Sequence, residues 1–352
     1  MIDVELIRSA HADIPSEFRD SPQFVSERLS ELLGTPVIVK VESVNPIGSF
    51  KGRGTWLAVQ RLVAAGEVSG ERGIIVASAG NFGQGVAYAG RARGVPVTVH
   101  ASAAANPTKL DAMRRLGAEV RLADGDFDSA REAAAADAVT RGWTLLVDGQ
   151  DPLTAVGAGT IALELTGGVK AGALPALAVA AIPVGNGALI AGMGAWLRSA
   201  APHTRIIGVQ AEQAPAMTRS WRSGRPITTP HATTIADGIA TRVPVLEALE
   251  MMDGAVDEMV LVGESQIADA QRELAAALPT AIEPSAAAPW AALRAMKASD
   301  GAAVIVITGG NVAAVSLPSS IAPLTCRQPV QLTRPLGMVR GACRPGGRAV
   351  AC

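Results

Sequence analysis

Hydrophobic and polar positions set up a repeating rhythm along most of this chain. From residue 73 onward, short aliphatic and β-branched runs alternate with alanine-rich stretches of helical period, the pattern of a parallel sheet covered by helices. Residues 73–78, Gly-Ile-Ile-Val-Ala-Ser, predict a buried strand, 81–93 a helix, 96–100 a strand and 106–116 a helix. In the last of these Asn106 is a natural N-cap, Pro107 suits the first turn and Gly117 ends the helix. Residues 119–122, 128–141 and 144–147 continue as strand, helix and strand, and 148–152 form a polar turn. A second series follows, with strand 176–183, helix 189–199, strands 205–210 and 258–262, helices 265–277 and 285–298, and strand 303–308. No repeat of solenoid period appears. After about residue 317 the chain turns to Arg, Pro, Gly and Cys without one acidic residue, which predicts a poorly ordered tail over 318–352.

Composition mainly excludes. With 352 residues, 49% of them hydrophobic and 18% charged, the chain has core enough for two domains of a soluble protein. No apolar run is long enough to cross a bilayer and the N-terminus lacks the basic and apolar regions of a signal peptide, so the expected location is cytoplasmic, with no membrane partner. A formal net charge of -1 and the absence of a basic patch interleaved with aromatics argue against nucleic acid. The three cysteines, Cys326, Cys343 and Cys352, all fall in the tail, with no spacing of a metal site or disulfide framework.

The candidate chemistry centres on residues 45–54, Asn-Pro-Ile-Gly-Ser-Phe-Lys-Gly-Arg-Gly. Lys51 has turn-forming and aromatic neighbours rather than other charges, and an amphipathic run starts directly after it, which puts its amine in a loop at a helix start. The positive helix end and partial desolvation favour a neutral, nucleophilic amine, the setting of a Schiff-base lysine. A solvated turn lysine is the bland alternative. Two glycine-rich turns between strand and helix add anion sites. Ser78-Ala-Gly-Asn-Phe-Gly-Gln-Gly presents backbone amides and a hydroxyl where a carboxylate would sit, and Pro183-Val-Gly-Asn-Gly-Ala-Leu forms a cup for phosphate. Either turn could serve tight packing alone. The second lacks the Gly-Lys-Ser ending of a P-loop, and no Gly-x-Gly-x-x-Gly dinucleotide fingerprint with its following acid is present, which weakens a nicotinamide oxidoreductase.

Taken together, these segments resemble the fold-type II pyridoxal phosphate enzymes, the tryptophan synthase β family, and most of all its threonine/serine dehydratase members. Residues 45–54 are similar to that family's Asn-Pro-Thr-Gly-Ser-Phe-Lys-Asp-Arg-Gly signature, departing at Ile47 and Gly52. Residues 78–85 are similar to its Ser-Ala-Gly-Asn-His-Ala-Gln-Gly loop, departing at Phe82 and Gly83, and Thr308-Gly-Gly-Asn follows the last buried strand as in the family. Segments 157–161, 235–240 and 282–287 match as well, so the resemblance runs from about residue 20 to 317 in family order.

The resemblance implies an α/β fold of two domains, each a mostly parallel sheet flanked by helices. Residues 1–69 and 149–317 would form a discontinuous large domain binding the cofactor, and 70–148 a small mobile one. It implies Lys51 as the Schiff-base lysine and base, Ser78 at the substrate carboxylate, and Phe50 against the cofactor ring. Asn81 would meet the ring oxygen, Gly185, Asn186, Gly187, Ala188 and Leu189 the phosphate, and Thr308 the pyridine nitrogen. Glu283 is either a buried acid near the cofactor or an acid serving a helix N-terminus, and Asp237 is open in the same way. The family's cation positions hold Gln210 and Ala216, so no metal is expected, although Glu212 offers a displaced ligand. Serine racemases use a second serine where this chain has Ala79, which favours elimination over two-base racemisation. The implied activity is β-elimination of a β-hydroxy amino acid such as L-threonine or L-serine to a 2-oxo acid and ammonia, in a homodimer. The alternatives are threonine synthase-like or other β-replacement, racemisation, and a non-catalytic small-molecule binder.

Overall fold

The computed structural model describes residues 2–296 and 301–312. The tail over 318–352, with its cysteines, lies outside the described residues. Within them, strands β1 (Gln23–Val25), β2 (Val37–Val41), β3 (Ile74–Ala77), β4 (Val97–Ser102), β5 (Glu119–Ala123), β6 (Thr144–Leu145), β7 (Leu177–Pro183), β8 (Arg205–Ala211), β9 (Glu258–Val262) and β10 (Ala302–Ile307) form two sheets. The larger has the order β1-β2-β10-β7-β8-β9 and the smaller β5-β4-β3-β6. Every pairing is parallel except β1 with β2.

The central strands show why. β10, Ala-Ala-Val-Ile-Val-Ile, is buried at every position, as a strand covered by helices on both faces must be. The α/β class and the mostly parallel sheets are thus as expected. The helices are α1 (Val4–Asp13), α2 (Glu27–Leu33), α3 (Lys51–Ala64), α4 (Asn81–Ala92), α5 (Pro107–Arg115), α6 (Phe127–Arg141), α7 (Pro152–Lys170), α8 (Ala188–Ala200), α9 (Ala216–Ser223), α10 (Leu246–Met252), α11 (Glu264–Ala277) and α12 (Pro284–Ala295).

Two regions depart from the hydrophobic pattern. The first 45 residues, left without elements by the sequence, supply β2, which enters the larger sheet beside β10 with Val37 opposite Ala303. The second is α7, whose small and apolar residues are buried almost all round, so no polar stripe marks its period. It is crossed by α3 at glycines: a Cβ on Gly54 would stand 2.5 Å from the Thr154 carbonyl oxygen, and one on Gly157 2.5 Å from the Gly54 Cα. The match at 157–161 therefore reports helix packing. The same physics explains the glycine at position 52, because a Cβ there would lie 2.1 Å from the Phe18 ring.

Candidate active site

Lys51 opens α3, whose N-cap is Phe50, and both line a cavity of about 830 Å³ between the two sheets. That volume lies in the range of roughly 300–1,000 Å³ usual for ligand pockets. Contrary to an amine without acid neighbours, Lys51 Nζ donates to both carboxylate oxygens of Asp148 at 2.7 Å. The rings of Phe50 and Phe82 flank it, with centroids 5.3 and 5.6 Å from Nζ. Asp148 follows the short β6 in the turn that leads to α7, a place the sequence marked only as polar.

Strand β3 delivers the turn Ser78–Asn81 into the same cavity and α4 starts from it. Ser78 Oγ accepts from the backbone N–H groups of Gly80 and Gly83 at 3.2 and 2.9 Å, which holds the turn closed on itself. Asn81 Nδ2 donates to Glu283 Oε1 and Oε2 at 3.1 and 3.0 Å, and its Oδ1 accepts from Asn311 Nδ2 at 2.8 Å.

Glu283 is both at the start of α12 and buried. It is the N-cap of α12, yet its side chain makes no capping bond and faces the cavity while 2% exposed. Burial pushes its carboxyl up from the usual value, with Lys109 opposing. The segment that follows β10 ties these parts together: Thr308 lines the cavity, the Asn311 N–H donates to Glu283 Oε1 at 3.1 Å, and Asn311 Nδ2 also donates to the Ile47 carbonyl at 2.8 Å.

The cup after β7 fits a phosphate on its own geometry. Helix α8 starts at Gly187, which has φ +91° and gives no side-chain cap, so among the described residues its first-turn amides have no side-chain acceptor. A Cβ at Gly185 would come within 2.6 Å of the Gly238 carbonyl oxygen, so only glycine fits there. Asn186, Ala188 and Leu189 complete the wall. Asn186 Nδ2 donates to the Asp148 carbonyl at 3.2 Å and its Oδ1 accepts from Thr241 Oγ1 at 3.3 Å.

All the predicted site residues thus border one cavity. Besides Asp148, the sequence missed Lys109, which is 3% exposed and lines the cavity from α5. Its Nζ donates to Asp237 Oδ2 at 2.6 Å and lies 3.7 Å from Glu283 Oε1. Burial works against its charge, but Glu283 and Asp237 hold its pKa above the ordinary value. A signal existed, since a lysine in the first turn of a helix opposes the macrodipole and so wants an acid partner.

The chain is similar to known proteins over most of its length. The family described as pyridoxal-phosphate dependent enzyme matches residues 14–309. The chain belongs to that family. The L-threonine ammonia-lyase of Geobacter sulfurreducens is 36% identical over 314 residues, covering 89% of this chain and 76% of the relative. That of Thermotoga maritima is 36% identical over 313 residues, with the same two shares of 89% and 76%. Among solved structures, the processed form of threonine deaminase isoform 2 from Solanum lycopersicum superposes with a TM-score of 0.78 at 29% identity, covering 89% of this chain and 86% of that one. Maize serine racemase gives 0.81 at 26%, covering 90% and 95%. The cofactor of this pyridoxal-phosphate dependent enzyme is pyridoxal phosphate, and the lyase class follows from its ammonia-lyase relatives, as the sequence motifs implied.

Proposed function

We propose that the chain is an ammonia-lyase that removes water and then ammonia from a β-hydroxy amino acid such as L-threonine or L-serine, leaving a 2-oxo acid. One observation carries the reading: a lysine amine, an anion-binding helix start and a carboxylate-sized turn converge on one cavity. When bound, pyridoxal phosphate supplies the electron-accepting ring that makes the Cα proton removable. The α8 amides and Gly185–Leu189 would hold its phosphate, Phe50 would pack on the ring, and Asn81 and Thr308 would meet the ring oxygen and nitrogen. A neutral hydroxyl such as that of Thr308 would not hold that nitrogen protonated as a carboxylate would, which would suit prompt loss of a β-leaving group. Lys51 would hold the cofactor through its amine, and that amine, once free, would take the Cα proton. The Ser78 turn receives the substrate carboxylate on backbone amides, with Ser78 Oγ keeping the turn in shape.

Maize serine racemase, similar in fold, makes racemisation the second reading, but Ala79 carries no proton to deliver to the opposite face. We further propose that residues 70–148 form a mobile domain that closes on the substrate, and that the enzyme works as a cytoplasmic homodimer. Among the described residues no helix is long and apolar enough to cross a membrane. The test is to feed L-threonine, L-serine, 3-hydroxyaspartate and O-phosphohomoserine separately and assay keto acid and ammonia. Keto acid from L-threonine or L-serine is expected, and silence from every β-hydroxy amino acid would overturn the proposal.

A further inference from the structure

The partners of Lys51 suit an ammonium, and they are held in place for it. A bidentate carboxylate at 2.7 Å and two aromatic faces are the surroundings that recognise a cation. Among the described residues the Asp148 carboxylate oxygens have no further hydrogen-bond partner, whereas the neighbouring Asp151 caps α7 by accepting from the Leu153 N–H at 2.9 Å. Its backbone is pinned. The Asp148 carbonyl accepts from Asn186 Nδ2, and Gly149 sits at φ +89°, where a Cβ would come 2.9 Å from the Asn186 Cβ. The carboxylate therefore keeps a set position relative to the α8 helix start, while its 19% side-chain exposure leaves it open to the cavity.

We propose that Asp148 is the docking carboxylate of the Lys51 amine. It receives the ammonium formed when Lys51 has removed the Cα proton and holds it away from the carbon, which commits the reaction to elimination. This rests on the lyase reading above. The Cα–H bond breaks and its proton forms an N–H bond on Nζ. The electron pair left on Cα, stabilised by the bound cofactor, forms the second Cα–Cβ bond as Cβ–O breaks, and the hydroxyl leaves as water on a proton drawn from solvent. An ammonium turned onto Asp148 does not hand its proton back to Cα. Asp148 acts through Lys51 and is a positioning residue.

The test uses Asp148→Asn, with Asp148→Ser as a second neutral variant in case the first does not fold and Asp148→Glu as the conservative rescue. The first arm needs neither cofactor nor substrate: the apoprotein is reductively methylated with formaldehyde and cyanoborohydride, and the rate at Lys51 is read by peptide mass spectrometry. Losing a charge-assisted pair should speed methylation of Lys51 about tenfold, with the other lysines unchanged and Asp148→Glu restoring the parental rate. In the second arm the holoenzyme turns over L-threonine in heavy water, and the recovered substrate is assayed for deuterium at Cα. The neutral variants should raise that deuterium about tenfold relative to keto acid formed. Equal methylation rates, or an unchanged deuterium ratio, overturns the proposal. A parental enzyme without keto acid product would instead sink the lyase reading, and the methylation arm would still decide the Asp148 contact.

Discussion

Lys40 and Lys51 are both lysines shielded by the fold and paired with a carboxylate, and they differ in what surrounds the pair. Lys40, on β2, is fully buried, and its three donors are matched by Glu164 Oε2 at 2.5 Å, the Ser21 carbonyl at 2.8 Å and Gln23 Oε1 at 3.2 Å. Glu164 and Glu42 are in turn gripped by Arg53, at 2.6 and 3.0 Å and at two contacts of 2.8 Å. Nothing in that cluster faces the cavity. Lys51, two residues before Arg53, has one carboxylate and an open side. A charge whose every bond is taken in a dry interior is a structural fastener, because any change leaves buried charge unpaired. The same pair at a cavity wall can be parted and remade.

The sharpest way to break the comparison is to remove each cation. Lys51→Ala should lower turnover on the order of 10⁴-fold while the melting temperature stays near the parent's, because the residue borders a cavity. Parental turnover would defeat the site. Arg53→Met should do the reverse, costing about 3–5 kcal/mol in urea unfolding by leaving Glu42 and Glu164 without their guanidinium. A loss under about 1 kcal/mol would mean the cluster is not a fastener.

Acid gives a third, smaller effect. Burial alone would push the Glu164 carboxyl up, but the Arg53 and Lys40 contacts outweigh it and bring it down to about 2 from an ordinary 4.5. A carboxyl depressed by folding stabilises the fold above its unfolded value and loses that contribution as pH falls through the folded one. The urea midpoint should therefore drop between about pH 5 and pH 2, and less steeply in Arg53→Met; identical slopes would show that Glu164 does not carry the dependence. Least of all, Arg28→Ala, which removes a pair with Glu31 whose side chains are 67% and 71% exposed, should change stability by no more than about 0.5 kcal/mol.

Much of the fold was legible from residue 73 onward, because strands such as β10 are continuous apolar runs and helix ends such as Asn106-Pro107 carry their own capping chemistry. The first 45 residues were not legible, since β2 carries Lys40 in mid-strand and makes sense only once Glu164 is known to stand beside it. Helix α7 was hidden by burial all round. The site divides in the same way. Lys51, the Ser78–Asn81 turn and Gly185–Leu189 announce themselves, because a glycine-rich turn between strand and helix is a local device.

The amino-acid order alone determined the alternation of strand and helix, the anion-binding turns and the lysine set among glycines, since each depends on neighbours a few residues apart. Only the folded chain decided which acids meet which cations. Asp148 lies 97 positions from Lys51, Asp237 lies 128 from Lys109, and Glu164 lies 111 from Arg53. A charge pair is a statement about distance in space, and backbone spacing says nothing of it until the two sheets have closed around their common cavity.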